Sequence, residues 1–110
     1  MQFTTEDAGD DIAIVRGDGR LNMVSAPTLR ETVKRAIDSG RPRIVVDMSR
    51  VQFMDSSGLG ALIACLKSAR QADGDLKIVA PSSQVQMVLA LSNVDQVLPP
   101  HASVAEAYGD

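Results

Sequence analysis

Cysteine, histidine and aromatic residues are scarce in this chain, and each shortage removes a class of chemistry. A lone Cys65 cannot close an internal disulfide, so the fold must rest on packing and suits a reducing compartment such as the cytosol. Phe3, Phe53 and Tyr108 are the only aromatic residues, too few for a base-stacking platform. The net charge is -3, with 11 lysines and arginines scattered along the chain, so no basic footprint for nucleic acid is expected. The single histidine, His101, lies in a proline-rich stretch near the C-terminus and reads as a loop residue. One histidine and one cysteine supply too few ligands for a metal site, and no cofactor is expected. No apolar run approaches the roughly 20 residues that cross a bilayer. The N-terminus "MQFTTEDAGDD" lacks a basic-then-apolar secretion signal, so a soluble, unprocessed, cytoplasmic chain with no membrane partner is expected.

What remains reads as one domain over residues 1–110. Its folding would remove roughly 11,000 Å² from water, enough for a core without staples. "DDIAIVRG" predicts a strand with Ile12, Ile14 and Arg16 on one side and Ala13 and Val15 on the other, ending at Gly17 and Gly19, after a shorter strand near "QFTT". "SAPTLRETVKRAIDSG" is punctuated as a helix: Ser25 as N-cap, Pro27 in the first turn, Gly40 past the end, and Leu29, Val33, Ala36 and Ile37 at helical spacing. "RIVVDM" is too short for a helix and reads as a buried central strand. A second helix to about Ala72 follows, then a "DGD" turn, the strand "LKIVA", a third helix in "SSQVQMVLALS", an edge strand in "VDQVL" and a closing helix in "SVAEAY". The alternation predicts an α/β fold, a small mixed sheet with βαβ crossovers covered by about four helices.

The stretch "VQFMDSSGLGALIACLK", residues 51–67, is the candidate site. A 100° advance per residue places Leu59, Leu62, Ile63 and Leu66 in one arc, which must face the sheet. Ser57, Ala61, Ala64 and Ser68 fall opposite, with Gly60 and Gln71 beside them. Alanine needs no reason to be exposed on a helix, yet so smooth a strip would also let another protein's backbone come close. At the helix start, Asp55 as N-cap would accept from the N–H of Ser57 or Gly58 and leave the Ser56 hydroxyl near the surface. Ser56 as the cap would engage that hydroxyl instead. An Asp-Ser-Ser run is an ordinary helix start, but Gly58 and Gly60 each cost about 1 kcal/mol against alanine inside a helix. Bare backbone there implies that something approaches closely.

Three chemistries compete for this serine pair. Acyl transfer would need a G-x-S-x-G elbow and a histidine base; Met54 and Gly58 do not frame Ser56 that way, and His101 is remote in sequence. Nucleotide hydrolysis would need a G-x-x-x-x-G-K-S/T loop, whereas the first lysine after the glycines is Lys67; binding of a phosphate without hydrolysis stays open. The third is covalent phosphate on a serine, which the domain would survive and a docked partner would not.

The run Phe53-Met54-Asp55-Ser56-Ser57-Gly58-Leu59-Gly60 resembles the signature of the anti-sigma factor antagonists, bacterial single-domain STAS proteins. Gly19-Arg20-Leu21 with Ala26-Pro27 and Leu29, and the later "GDLKIVAPSSQVQMVLALSNVDQVLP", extend the resemblance over nearly the whole chain. It implies a STAS-type fold and a regulator, not an enzyme. Such a protein, when unphosphorylated, binds an anti-sigma factor with serine kinase activity and frees a sigma factor; the kinase then phosphorylates the serine after the aspartate, and a PP2C-type phosphatase reverses it. Carried over by position, Ser56 is the phosphoacceptor, although the helical wheel makes Ser57 the more outward hydroxyl. Asn22, Asp55, Ser57, Gly58, Leu59 and Gly60, with Ala61 and Ala64 of the smooth strip, form the expected partner surface. Asn22 stands where many members carry an aspartate, keeping the shape and losing the charge. The same resemblance admits an alternative role, as a STAS accessory subunit of an ABC-transporter ATPase or a stress-signalling scaffold.

Overall fold

The computed structural model describes residues 1–108. Strands β1 (Gln2–Asp7), β2 (Ile12–Leu21), β3 (Arg43–Met54), β4 (Asp75–Val79) and β5 (Pro100–His101) form one sheet in the order β1-β2-β3-β4-β5. β1 and β2 are an antiparallel hairpin, and every later pair is parallel. Parallel neighbours need crossovers, and helices α1 (Ala26–Asp38), α2 (Ser56–Gln71) and α3 (Ser83–Leu91) supply them. Crossovers of one hand put all three on one face. There Leu29 and Val33 of α1, Leu62 and Leu66 of α2, and Val85 and Leu89 of α3 share a core with Ala13, Val15, Ile44, Val46 and Ile78. The alternate residues Ile14, Val45 and Val79 point the other way and are covered by Ala107, Val104 and Tyr108 of the short helix α4 (Val104–Tyr108).

Tyr108 holds α4 down. Its hydroxyl donates to the Ile44 carbonyl at 3.1 Å, and its ring lies 4.8 Å from both the Arg43 guanidinium carbon and Lys77 Nζ. Lys77 Nζ also donates to the Ala107 carbonyl at 2.8 Å. Burial first, and then the Asp75 carboxylate, push the Tyr108 phenol up, so it keeps the proton it donates.

Three expectations need correction. "VDQVL" is not the edge strand: Val94–Gln96 is a 3-10 turn, and the edge is Pro100–His101. Val94 and Leu98 are the buried residues there while Val97 is half exposed; the left-handed Asn93, φ 57°, starts the turn, and Leu98 N–H donates back to the Val94 carbonyl at 2.8 Å. His101 therefore belongs to a strand instead of a loop, with Ala80 N–H donating to its carbonyl at 2.8 Å. Ser25 occupies the N-cap position of α1 without capping it. Its hydroxyl donates backward, to the Arg20 carbonyl at 2.7 Å, and accepts from Asn22 N–H at 3.0 Å.

β2 and β3 also run further than their apolar cores. Their ladder continues through two register shifts to Arg20 opposite Phe53 and Leu21 opposite Met54, whereas β4 leaves β3 at Asp47. This projecting two-stranded end carries the site.

Candidate partner-binding site

Asp55 leaves the sheet in an extended conformation, φ -107° and ψ -172°, as the N-cap of α2. Its Oδ1 accepts from Gly58 N–H at 3.0 Å, and its own N–H donates to the Leu21 carbonyl at 3.2 Å. The choice between Asp55 and Ser56 as cap is thereby made. Ser56 is the first helical residue and is exposed, while Ser57 is half-buried, the reverse of the wheel's order. A residue in the first turn has no preceding turn to fix its side.

The glycines divide the task expected of both. A Cβ on Gly58 would run into the Leu21 carbonyl oxygen, so what comes close there is the chain's own β2. A Cβ on Gly60 would meet nothing within 4 Å. Gly58 is buried and Leu59 is 8% exposed, so both lie beneath the surface they were expected to form.

Ala61 is likewise fully buried, and Ala64 half-buried. The smooth strip faces α1, which lies alongside α2: Arg30, Val33 and Ile37 of α1 line one groove with Ala64, Cys65 and Ser68 of α2. The backbone that small residues admit is that of this fold's own first helix. Burial pushes the Cys65 thiol up to about 11, against an opposing pull from Arg30, so it is neither thiolate nor nucleophile near neutrality.

Nearer the start of α2, Met23, Ala26, Pro27 and Arg30 face Ser56, Ser57 and Gly60 across an open groove. Met23 is 72% and Val24 82% exposed, an apolar loop tip beside the serine. Asn22 shapes that loop: its Oδ1 accepts from Val24 N–H at 3.0 Å and Ser25 N–H at 3.3 Å. A neutral amide oxygen serves this turn, so the missing charge leaves the loop's shape intact. His101 lines a different groove, with Arg70, Lys77 and Val97, and shares no lining residue with Ser56.

One residue with a role here went unnoticed in the sequence. Gln84 of α3 grips the last residue of β3 with both ends of its amide: Oε1 accepts from Met54 N–H at 2.9 Å and Nε2 donates to the Met54 carbonyl at 3.0 Å. This amide does for β3 what a neighbouring strand does earlier along it. The partners are 30 residues apart, and no local pattern announces them.

A hairpin-led sheet with its crossover helices on one face, and an acid-capped serine opening α2, define a STAS domain. Residues 5–107 match the STAS domain family, and the chain belongs to it. It is 26% identical over 98 residues to the anti-sigma-B factor antagonist of Staphylococcus aureus, covering 89% of this chain and 88% of that one. An anti-sigma factor antagonist from Mycobacterium paratuberculosis superposes with a TM-score of 0.83 at 26% identity, over 96% of this chain and 89% of the other. Unphosphorylated SpoIIAA, the Bacillus anti-sigma factor antagonist, does so with a TM-score of 0.81 at 25% identity, over 96% and 92%.

Proposed function

We propose that this chain is a cytoplasmic anti-sigma factor antagonist that works by partner switching, with Ser56 as the switch. Unphosphorylated, it binds an anti-sigma factor with serine kinase activity through Asn22, Met23, Val24 and Pro27, the cap Asp55, and Ser56, Ser57 and Gly60 at the start of α2. The kinase moves the γ-phosphoryl group of ATP to Ser56: a bond forms from Oγ to phosphorus, the bond to ADP breaks, and the hydroxyl proton passes to a kinase base. A PP2C-type phosphatase returns the hydroxyl by hydrolysis. The protein itself is a regulator and catalyses nothing in this cycle.

The observation that carries this reading is the exposed Ser56 at the first position of a helix whose cap is supplied by Asp55. A phosphoserine adds about -1.5 to -2 charges, and the start of α2 offsets about 0.3–1 kcal/mol of the local cost. A partner carboxylate within about 4 Å would meet up to roughly 4 kcal/mol of repulsion per unit charge pair, and a hundredfold loss of affinity needs only about 2.7 kcal/mol. Charge on Ser56 thus dissociates the partner and spares the fold.

Incubation with the kinase-type anti-sigma factors of the same genome and ATP, followed by mass spectrometry, should add one phosphate at Ser56. Unmodified wild type, or equal modification of Ser56→Ala, would overturn the reading. Ser56→Asp should melt within about 2 °C of wild type and bind the kinase at least tenfold more weakly. A cooperative loss of fold in that variant would contradict the magnitudes above.

A further inference from the structure

The outer face of α1 is a ladder of ion pairs in which Arg30 has no part. Lys34 Nζ donates to Asp38 at 2.9 Å and Arg35 to Glu31 at 2.6 Å, each four residues apart on the helix. The positions three and four residues from Arg30 are Ala26, Pro27, Val33 and Lys34, so its helical neighbours offer it no acid. No ion pair reaches it among the described residues.

Among the described residues, Arg30 is instead the only charged side chain lining the groove that holds Ser56, Ser57 and Gly60. The space over Gly60 is empty, so nothing on α2 stands in the way of a side chain reaching across. Its charge already acts on α2, where it opposes the effect of burial on Cys65.

We propose that Arg30 is the intramolecular seat of the Ser56 phosphate, its guanidinium crossing over Gly60 to hold two phosphate oxygens at once. This rests on the reading of Ser56 as the modified residue and adds what the phosphate does afterward. In the unmodified protein Arg30 is a cation offered to the partner beside the apolar Met23 and Val24. In the phosphorylated protein that cation is occupied and the groove is filled, so modification withdraws a docking contact as well as adding repulsion. A planar guanidinium suits the task because it matches two phosphate oxygens in one plane, which an ammonium cannot.

The test installs phosphoserine at position 56 by genetic code expansion, so it needs no kinase. The phosphate is titrated by phosphorus NMR in wild type, Arg30→Gln and Arg30→Lys. Its second ionisation lies near pH 6 in the free residue, and a guanidinium in contact should lower it by about one unit relative to Arg30→Gln. Arg30→Lys should fall between, since the charge stays and the fork is lost. Asp55, the other ionisable group at this helix start, is common to all three proteins. Equal midpoints in wild type and Arg30→Gln would overturn the proposal. A second readout needs no variant: the Arg30 Nε–H resonance should shift and exchange more slowly with solvent once position 56 carries phosphate, and an unmoved resonance would count against the pair. Failure of every kinase to modify Ser56 would defeat the switch reading and leave this titration unaffected.

Discussion

Alanine at Gly58 and alanine at Gly60 should change stability in opposite directions, although the two positions lie two residues apart in the same helix turn. At Gly58 the new methyl group meets the Leu21 carbonyl oxygen, and that oxygen cannot withdraw. Leu21 is paired with Met54 across the ladder, and its carbonyl also receives the Asp55 N–H at 3.2 Å. Relief must come from α2 moving off β2, against a core where Leu62 is fully buried. Overpacking against backbone that cannot yield falls in the upper half of the usual range, about 2–3 kcal/mol, and the better helix propensity of alanine returns about 1 kcal/mol. The net loss of about 1–2 kcal/mol should lower the melting temperature by roughly 4–8 °C. At Gly60 no atom lies within 4 Å of the added carbon, so the propensity gain stands alone and the melting temperature should rise by about 2–4 °C. Thermal unfolding followed by circular dichroism measures both. A Gly58→Ala variant as stable as wild type would refute the packing account, and a destabilised Gly60→Ala would show that the groove is not open. Gly60→Ala should also bind the kinase-type partner more weakly than wild type despite its greater stability, because the methyl group occupies docking space.

Two further outcomes follow from buried contacts. Gln84→Ala should cost about 1–3 kcal/mol in urea unfolding, because it strips both partners from the backbone of the fully buried Met54; amide exchange should quicken at Asp55 and Ser56 more than in α1, and uniform quickening would argue against a local clamp. Cys65 should resist a thiol-specific disulfide reagent at pH 8 in the native protein and react at once in denaturant. Its thiol is raised from 9.0 to about 11 by burial, so the folded state disfavours the thiolate. The stability this contributes is complete below pH 9.0 and lost as pH climbs toward 11. Rapid native labelling would refute the burial.

The sequence was most informative where a single local rule decided the outcome. Leu29, Val33 and Ala36 lie on one helical stripe, and all three are buried; Ile14 and Val15 alternate in one strand, and they enter opposite cores. Asp55 before an apolar periodic run is legible only as one of two caps, and the Gly58 N–H contact decides for it over Ser56. It was least informative where two distant segments meet. Ala61 was placed outward because a helical wheel knows only one buried face, while α2 packs on the sheet and on α1 together. Gly58 and Gly60 are alike in composition, and only the position of Leu21 separates a forced glycine from a free one. In "VDQVL" the apolar residues fit either a pleat or a turn, and the left-handed Asn93, φ 57°, sets the turn.

The division of labour at the start of α2 explains why an acid precedes the serine. Had Ser56 been the cap, its oxygen would be committed to a backbone N–H, and any group attached to it would strip that bond at a cost of about 1 kcal/mol. With the Asp55 carboxylate on Gly58 N–H, the cap survives whatever happens at Ser56. The support behind it is equally separate: Gln84 holds Met54 from α3, and Leu21 holds Asp55 from β2, both through backbone atoms that a charge on Ser56 does not touch. The proposed phosphate cycle on Ser56 would need this arrangement, in which the helix start is fixed by neighbours of that serine and not by the serine itself. Asp55→Ala would remove the separation, leaving Ser56 as the nearest side chain able to cap, and the two roles would then compete for one oxygen.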